Sequence, residues 1–134
     1  MHHLSFAITY HYPETEPGIT VPVILSCGGL SYNASAKVDP GAELCLFSRE
    51  IGEELALPVE TGLPTTLDSL GGSVPAFGHE VTLQTCGLFF TSIVYFAKHP
   101  GLRRNLLGQQ GWLRRLRIAI VDYDNLLYLS HYDD

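Results

Sequence analysis

Charge is scarce in this sequence. Asp, Glu, Lys and Arg make up 16% of its 134 residues, while 46% are hydrophobic. That balance excludes a disordered chain, which cannot bury enough apolar surface to order itself. It also leaves room for an apolar surface used in self-association. Basic residues are the rarer sign: 8 Lys and Arg against 14 Asp and Glu, a net charge of −6. A chain of that sign repels nucleic acid and anionic membrane. Cysteine is limited to Cys27, Cys45 and Cys86, with no Cys-x-x-Cys pair, which excludes a zinc ribbon. All three lie in apolar runs, so buried thiols and a reducing compartment are expected. No apolar run approaches the length of a membrane-spanning helix. The N-terminus has no cationic start followed by an apolar block, the mark of a secretory signal. The expectation is a cytoplasmic protein without a membrane partner. The length suits one domain over residues 1–134, with an N-terminal strand and loop over 1–18 and a core over 19–130.

The scarce basic residues are unevenly placed. Six of the eight fall between Lys98 and Arg117. A nucleic-acid surface wants aromatic residues interleaved with the cations, and only Trp112 lies inside the stretch. A solvated face is therefore the expected reading. A nucleic-acid module built on Arg103, Arg104, Arg114, Arg115 and Arg117 is the weakest of three functional readings, and nucleic acid is not an expected partner.

What the chain does have is strand pattern. Leu4, Phe6, Ile8 and Tyr10 alternate with smaller or polar residues. Ile19, Val21, Val23, Leu25 and Cys27 share one face of a second strand, and Tyr32, Ala34, Ala36 and Val38 one face of a third. Gly28-Gly29 between them predicts a β-hairpin. Leu44 to Phe47 is apolar on both faces, as a central strand is. Ser48 is placed to cap a short helix over Arg49 to Leu57, with Ile51 and Leu55 inward and Pro58 as its stop. Gly62 to Gly78 reads as a long hairpin arm with its tip at Gly71 and Gly72. Strands are predicted over His79 to Cys86 and Leu88 to Lys98, turning at Gly87. A brief apolar element over Asn105 to Gly108 and a short helix over Gln109 to Arg115 follow. Two last strands, holding Ile118 and Ile120 and then Leu126 to Leu129, are joined by an Asp-Tyr-Asp-Asn turn. The fold class is all-β, with about eight or nine strands by the usual spacing of turn signals and two short helices.

Asp39 stands at the end of the third predicted strand, followed by Pro40, Gly41 and Ala42. A turn accounts for this tetrapeptide by itself. The residue before proline is pushed to extended backbone, proline presets its own φ, and the aspartate side chain caps the turn. The context adds a second reading. An all-apolar strand and a helix follow Asp39, then a glycine-tipped hairpin, then Leu106-Leu107-Gly108 and "RIAIVDYDNLLYLS". That order resembles the retropepsin-like aspartic protease domain, in particular its small single-domain bacterial members. The family's Asp-Thr/Ser-Gly-Ala signature is matched by Asp39-Pro40-Gly41-Ala42. Its second element, two apolar residues and a glycine, is matched by Leu106-Leu107-Gly108. The resemblance covers about Ile19 to Ser130 and implies a closed acid-protease barrel. It also implies a flap hairpin around Thr66 to Phe77, where Asp68, Gly71 and Gly72 would meet substrate.

The resemblance also implies a mechanism. Two carboxylates share one proton and one water, because like charges held close cannot both ionise. The ionised partner takes a proton from water and the protonated one polarises the peptide carbonyl. One Asp-x-Gly per chain supplies one carboxylate, so a two-fold homodimer is implied, with Asp39 of each chain facing its mate. The substrate is an extended peptide, and no cofactor or metal is called for. Pro40 departs from the family. Threonine or serine there carries a hydroxyl that locks the two loops across the dimer axis, and Pro40 has neither hydroxyl nor backbone N–H. Gln109 stands where many members carry a charged residue that supports the dimer. Two readings therefore stay open: a homodimeric aspartic endopeptidase, and an inactive peptide-binding or dimerisation module on the same fold.

The remaining candidates are weaker. His2 and His3 are adjacent and would point to opposite faces of a strand, which works against a metal site with His11. His79-Glu80 lacks the second histidine of a zinc-protease helix. Asp122 and Asp124 fit a turn, and Ser69, Ser73 and Ser92 lack the context of a nucleophile elbow.

Overall fold

The computed structural model describes residues 3–69 and 71–133. Among them ten strands run in the order β1 (Ile8–His11), β2 (Thr20–Cys27), β3 (Leu30–Val38), β4 (Leu46–Phe47), β5 (Leu63–Ser69), β6 (Gly72–Thr85), β7 (Leu88–Ala97), β8 (Asn105–Leu107), β9 (Leu116–Val121) and β10 (Leu126–His131). One α-helix, α1 (Arg49–Glu54), follows β4, and single 3₁₀ turns occupy Val59–Thr61, Leu113–Arg115 and Asp122–Asp124.

Six strands close into a barrel in the order β2-β3-β8-β4-β7-β6, with β6 returning to β2. Closure leaves the barrel no open edge. It depends on the length of β6. The first half of β6 pairs with β5 over Gly72 to Gly78. Its last residues, Thr82 to Thr85, pair with β2, while β7 runs alongside from Ala76 to Thr85. The β5–β6 arm thus projects from the barrel wall. A second sheet, β1-β10-β9, is antiparallel throughout.

Alternation sets the core. Val21, Val23 and Leu25 of β2 point inward, as do Val81 and Leu83 of β6 and Val94 and Phe96 of β7. Leu127 and Leu129 of β10 belong to the same cluster, which ties the second sheet to the barrel. Trp112 is wholly buried, and its indole N–H is satisfied by Thr85 Oγ1 at 3.0 Å. A smaller cluster of Leu46, Ala76 and Ala97 gathers Leu67, Val74, Tyr95, Leu102 and Leu106. It joins the base of the β5–β6 arm to β4 and β8.

The hairpin at Gly28-Gly29 forms as expected, with positive φ at both residues. This is the turn whose twist suits two adjoining strands. The turn at Gly87 also takes Cys86 into positive φ, 51°.

Several boundaries differ from the sequence expectation. Helix α1 ends at Glu54, well before Pro58, because Leu55 caps it and Ala56 turns left-handed at φ 56°. The helix predicted over Gln109 to Arg115 is only the 3₁₀ turn at Leu113–Arg115. The reason is that Gln109 N and Gln110 N donate to Ala42 O and Glu43 O, so their backbone is paired with the segment after Asp39, where Gln110 bridges Leu44. β4 is confined to Leu46–Phe47, and β1 begins only at Ile8. The first limb of the arm is β5, and the second limb and the strand predicted after it are one continuous strand, β6. Pro75 is tolerated there because it stands at the end of the β6–β7 pairing: its carbonyl accepts from Lys98 N at 2.9 Å, and Lys98 O, the acceptor a residue-75 N–H would meet, is taken by Arg49 Nη1 at 2.8 Å.

Candidate active site

Asp39 follows directly on β3, and two strands fix it. Val38 N donates to Ile19 O at 2.8 Å, and Asp39 N donates to Leu107 O at 3.0 Å. The second bond continues the parallel β3–β8 ladder, in which Val38 faces Leu107. The chain then reverses: Ala42 N donates to Asp39 O at 3.0 Å, with Pro40 in the position that proline's fixed φ suits. Gly41 N donates to Asp39 Oδ1 at 3.0 Å. Among the described residues nothing donates to the other carboxylate oxygen, and the side chain is half-exposed. The turn reading of this tetrapeptide is therefore correct as local structure, and the same turn presents a braced carboxylate.

The Leu106-Leu107-Gly108 segment packs against this loop. A Cβ on Gly108 would stand 2.2 Å from Leu44 O and 2.6 Å from Ala42 O, so only glycine fits at this approach. Gly108 N donates to Cys45 Sγ at 3.4 Å, and Cys45 Sγ donates to Gln110 O at 3.5 Å. Burial pushes the Cys45 thiol up to about 11, against a smaller lowering by the Gly108 N–H, so it stays a neutral thiol. Gln109 Nε2 donates to Pro40 O at 2.7 Å. In the sequence Gln109 is only a departure from the family pattern and Cys45 only an expected buried thiol. Neither carries a local signal of its role, since each acts on a loop distant in sequence.

Asn105 of β8 adds two ties: its Nδ2 donates to Ser35 O at 3.0 Å, and its Oδ1 accepts from Ser48 N at 3.1 Å. One side chain thus links β3, β8 and the start of α1. Ser48 caps that helix through Oγ, which accepts from Ile51 N at 3.3 Å.

The β5–β6 arm carries the other predicted residues. Asp68 and Ser73 face each other, and Ser73 Oγ donates to Asp68 Oδ1 at 2.8 Å. Asp68 is exposed, so the structure places it within its own hairpin and does not bring it to Asp39 by hydrogen bond. Gly72 has φ +118°, a conformation that glycine accepts.

The weaker candidates have structural roles. His79 Nε2 lies 2.9 Å from Val59 O, and its ring packs near Phe96. Tyr12 OH donates to Asp122, which fastens the second sheet's first loop to the turn before β10. His3 and His11 are exposed, and His2 lies outside the described residues. Among the described residues no group of three or more His, Cys, Asp or Glu is placed to hold a metal. No helix among them is long and apolar enough to cross a membrane. Part of the basic stretch is committed to packing. The Arg115 guanidinium lies 4.9 Å from the Phe90 ring centroid and donates to Thr91 O at 2.7 Å, and that of Arg117 lies 5.5 Å from Phe6.

No protein-family model matches the chain, and no curated protein sequence matches it. Solved structures do. A retropepsin-like aspartic protease from Rickettsia conorii matches with a TM-score of 0.64 at 17% identity, covering 92% of this chain and 97% of its own. EIAV protease, solved in complex with an inhibitor, matches with a TM-score of 0.51 at 21% identity, covering 72% of this chain and 86% of its own. Agreement over most of both chains, around a closed barrel with a projecting arm, establishes that this chain has the retropepsin-like aspartic protease fold.

Proposed function

We propose that the chain is half of a homodimeric aspartic endopeptidase, with Asp39 of each protomer supplying one carboxylate. The observation that carries this reading is the doubly braced Asp39: backbone N–H held by Leu107 O, carboxylate held by Gly41 N, in a fold shared with aspartic proteases. Across a two-fold axis one carboxylate is ionised and removes a proton from water, while the other donates to the peptide carbonyl oxygen. The resulting tetrahedral carbon expels the amine, which takes up a proton from the dyad. The β5–β6 arm would act as the flap, with the peptide lying extended between it and the barrel and its side chains alternating into pockets.

A second reading, an inactive peptide-binding or dimerisation module, is favoured by one observation, Pro40. It lacks the hydroxyl and N–H that would fasten the loop to its mate. The Gln109 side chain on Pro40 O, at 2.7 Å, bears on the choice, because it braces the loop from within the chain.

The deciding experiment is proteolysis of an unfolded protein mixture by wild type and Asp39→Asn over about pH 3.5 to 7, where paired carboxylates titrate. Cleavage by wild type that the variant lacks is the expected result. Absence of cleavage by a folded, dimeric wild type would favour the module.

A further inference from the structure

A cavity of about 260 Å³ opens on the outside of the barrel against the last residues of β3, Ser35 to Lys37, and three of its lining residues are cations. Ala36 and Val38 point into the core. Ser35 and Lys37 therefore point outward, and Asp39 follows in the same phase as Lys37. Two residues of extended chain separate them, about 7 Å between Cα atoms. Lys37 lines the cavity together with Arg103 and Arg104 from the loop before β8, and Glu16 is its one acidic neighbour. Among the described residues none of these three cations is in an ion pair; the pairs present belong to Arg49, with Glu53 and Glu60. The Lys37 stem is laid over the Gly18 backbone, where a Cβ would come within 3.0 Å of Cε. Asn105, at the cavity's edge, fixes the backbone of Ser35 and so the wall that carries Lys37.

Resting on the endopeptidase reading above, we infer that this cavity is a specificity pocket for an acidic side chain of the peptide substrate. Three cations against one carboxylate leave an unbalanced positive site in a chain that is otherwise acidic. Arg and Lys donors meet a carboxylate by charge-assisted hydrogen bonds. In a two-fold dimer the pocket occurs once on each side of the dyad, so an acid on either side of the scissile bond is accepted. The pocket's size suits one side chain, and the net charge of −6 repels a polyanion such as RNA.

The test is binding of a labelled apolar peptide in which Glu, or Gln as its isostere, is walked through successive positions. Folded Asp39→Asn protein is used, so that the readout does not need catalysis. Glu is expected to bind about tenfold more tightly than Gln at one position on each side of the dyad, and the gap should narrow in high salt. Lys37→Gln and Arg104→Gln should each shrink the gap, and Arg104→Glu should turn it toward a Lys peptide, with thermal unfolding unchanged at these exposed or half-exposed sites. Equal binding of Glu and Gln peptides at every position, or no peptide binding, overturns the pocket. So does a single-stranded oligonucleotide that displaces the peptide at lower concentration. Cleavage of unfolded protein with no Glu preference would remove the pocket and leave the endopeptidase standing. A Glu preference without cleavage by wild type would do the reverse.

Discussion

At the scale of single residues, Gly41 and Gly108 lie on two segments packed together and meet different constraints. A side chain on Gly108 would collide with two backbone carbonyls, at 2.2 and 2.6 Å, and neither can rotate away. At Gly41 the nearest atom is Asp39 Oδ1 at 3.3 Å, the end of a side chain. Gly108→Ala is therefore expected to destabilise by about 1–3 kcal/mol, the range for overpacking a tight site. Gly41→Ala should cost less stability and act through the carboxylate it braces. Thermal unfolding of the two variants separates these outcomes; a Gly108→Ala protein as stable as wild type would contradict the packing described for Leu107 and Gly108. The thiols give a second test. Burial raises both Cys45 and Cys86 from about 9 to about 11. A raised thiol binds its proton more tightly in the folded chain than in the unfolded one, so its contribution is intact below the unfolded value and fades as pH climbs through the folded one. Resistance to urea should hold from about pH 7 to 8.5 and fall between about pH 9 and 11, with Cys45→Ala flattening part of that fall. An equally steep fall in the variant would remove Cys45 as a contributor.

At the scale of elements, the β5–β6 arm differs from the barrel it leaves. β5 is paired on one side only, to β6. The closing strands β2 and β3 have neighbours on both sides. Amide hydrogen exchange should accordingly be faster over Leu63 to Asp68 than over Val21 to Leu25, by orders of magnitude if the arm opens apart from the barrel. Uniform protection of both segments would contradict an arm that moves independently. These elements also show what could be read in the sequence. The β2–β3 hairpin was legible because unbroken alternation flanks Gly28-Gly29. The Ser48-capped helix was legible at its start and not at its end, since nothing about Ala56 announces a left-handed residue. β6 reads as two pieces because Pro75 and Gly78 interrupt its alternation, and only the neighbouring strands make it continuous. The helix predicted from Gln109 failed because the backbone there is consumed by Ala42 and Glu43, residues far off in sequence. The approach of Asp39 to Leu107 was legible only through the order of two short motifs. The cationic cavity was not legible, because Lys37 and Arg103 meet only when β3 lies beside β8.

At the scale of the whole molecule, the proposed dimer turns on one position. A single Asp39 cannot supply both acid and base, so activity should require association, and specific activity should fall on dilution through the dimer dissociation constant. Pro40 removes a cross-axis hydroxyl from that association, while Gln109 holds the same loop from within the chain at Pro40 O. The two devices act on different quantities. A cross-axis bond stabilises the dimer; an intrachain brace only preorganises the loop before pairing. Pro40→Thr should therefore tighten dimerisation about tenfold or more, the worth of a well-made hydrogen bond or two, and raise activity at low protein concentration more than at high. Gln109→Ala should lower activity at saturating protein and change the dissociation constant less, because the loop loses its brace in monomer and dimer alike. Sedimentation velocity across a dilution series, run beside peptide cleavage, reads both effects. If Pro40→Thr leaves both the dissociation constant and the activity unchanged, the loops do not meet across a two-fold axis, and the shared-dyad mechanism loses its geometry.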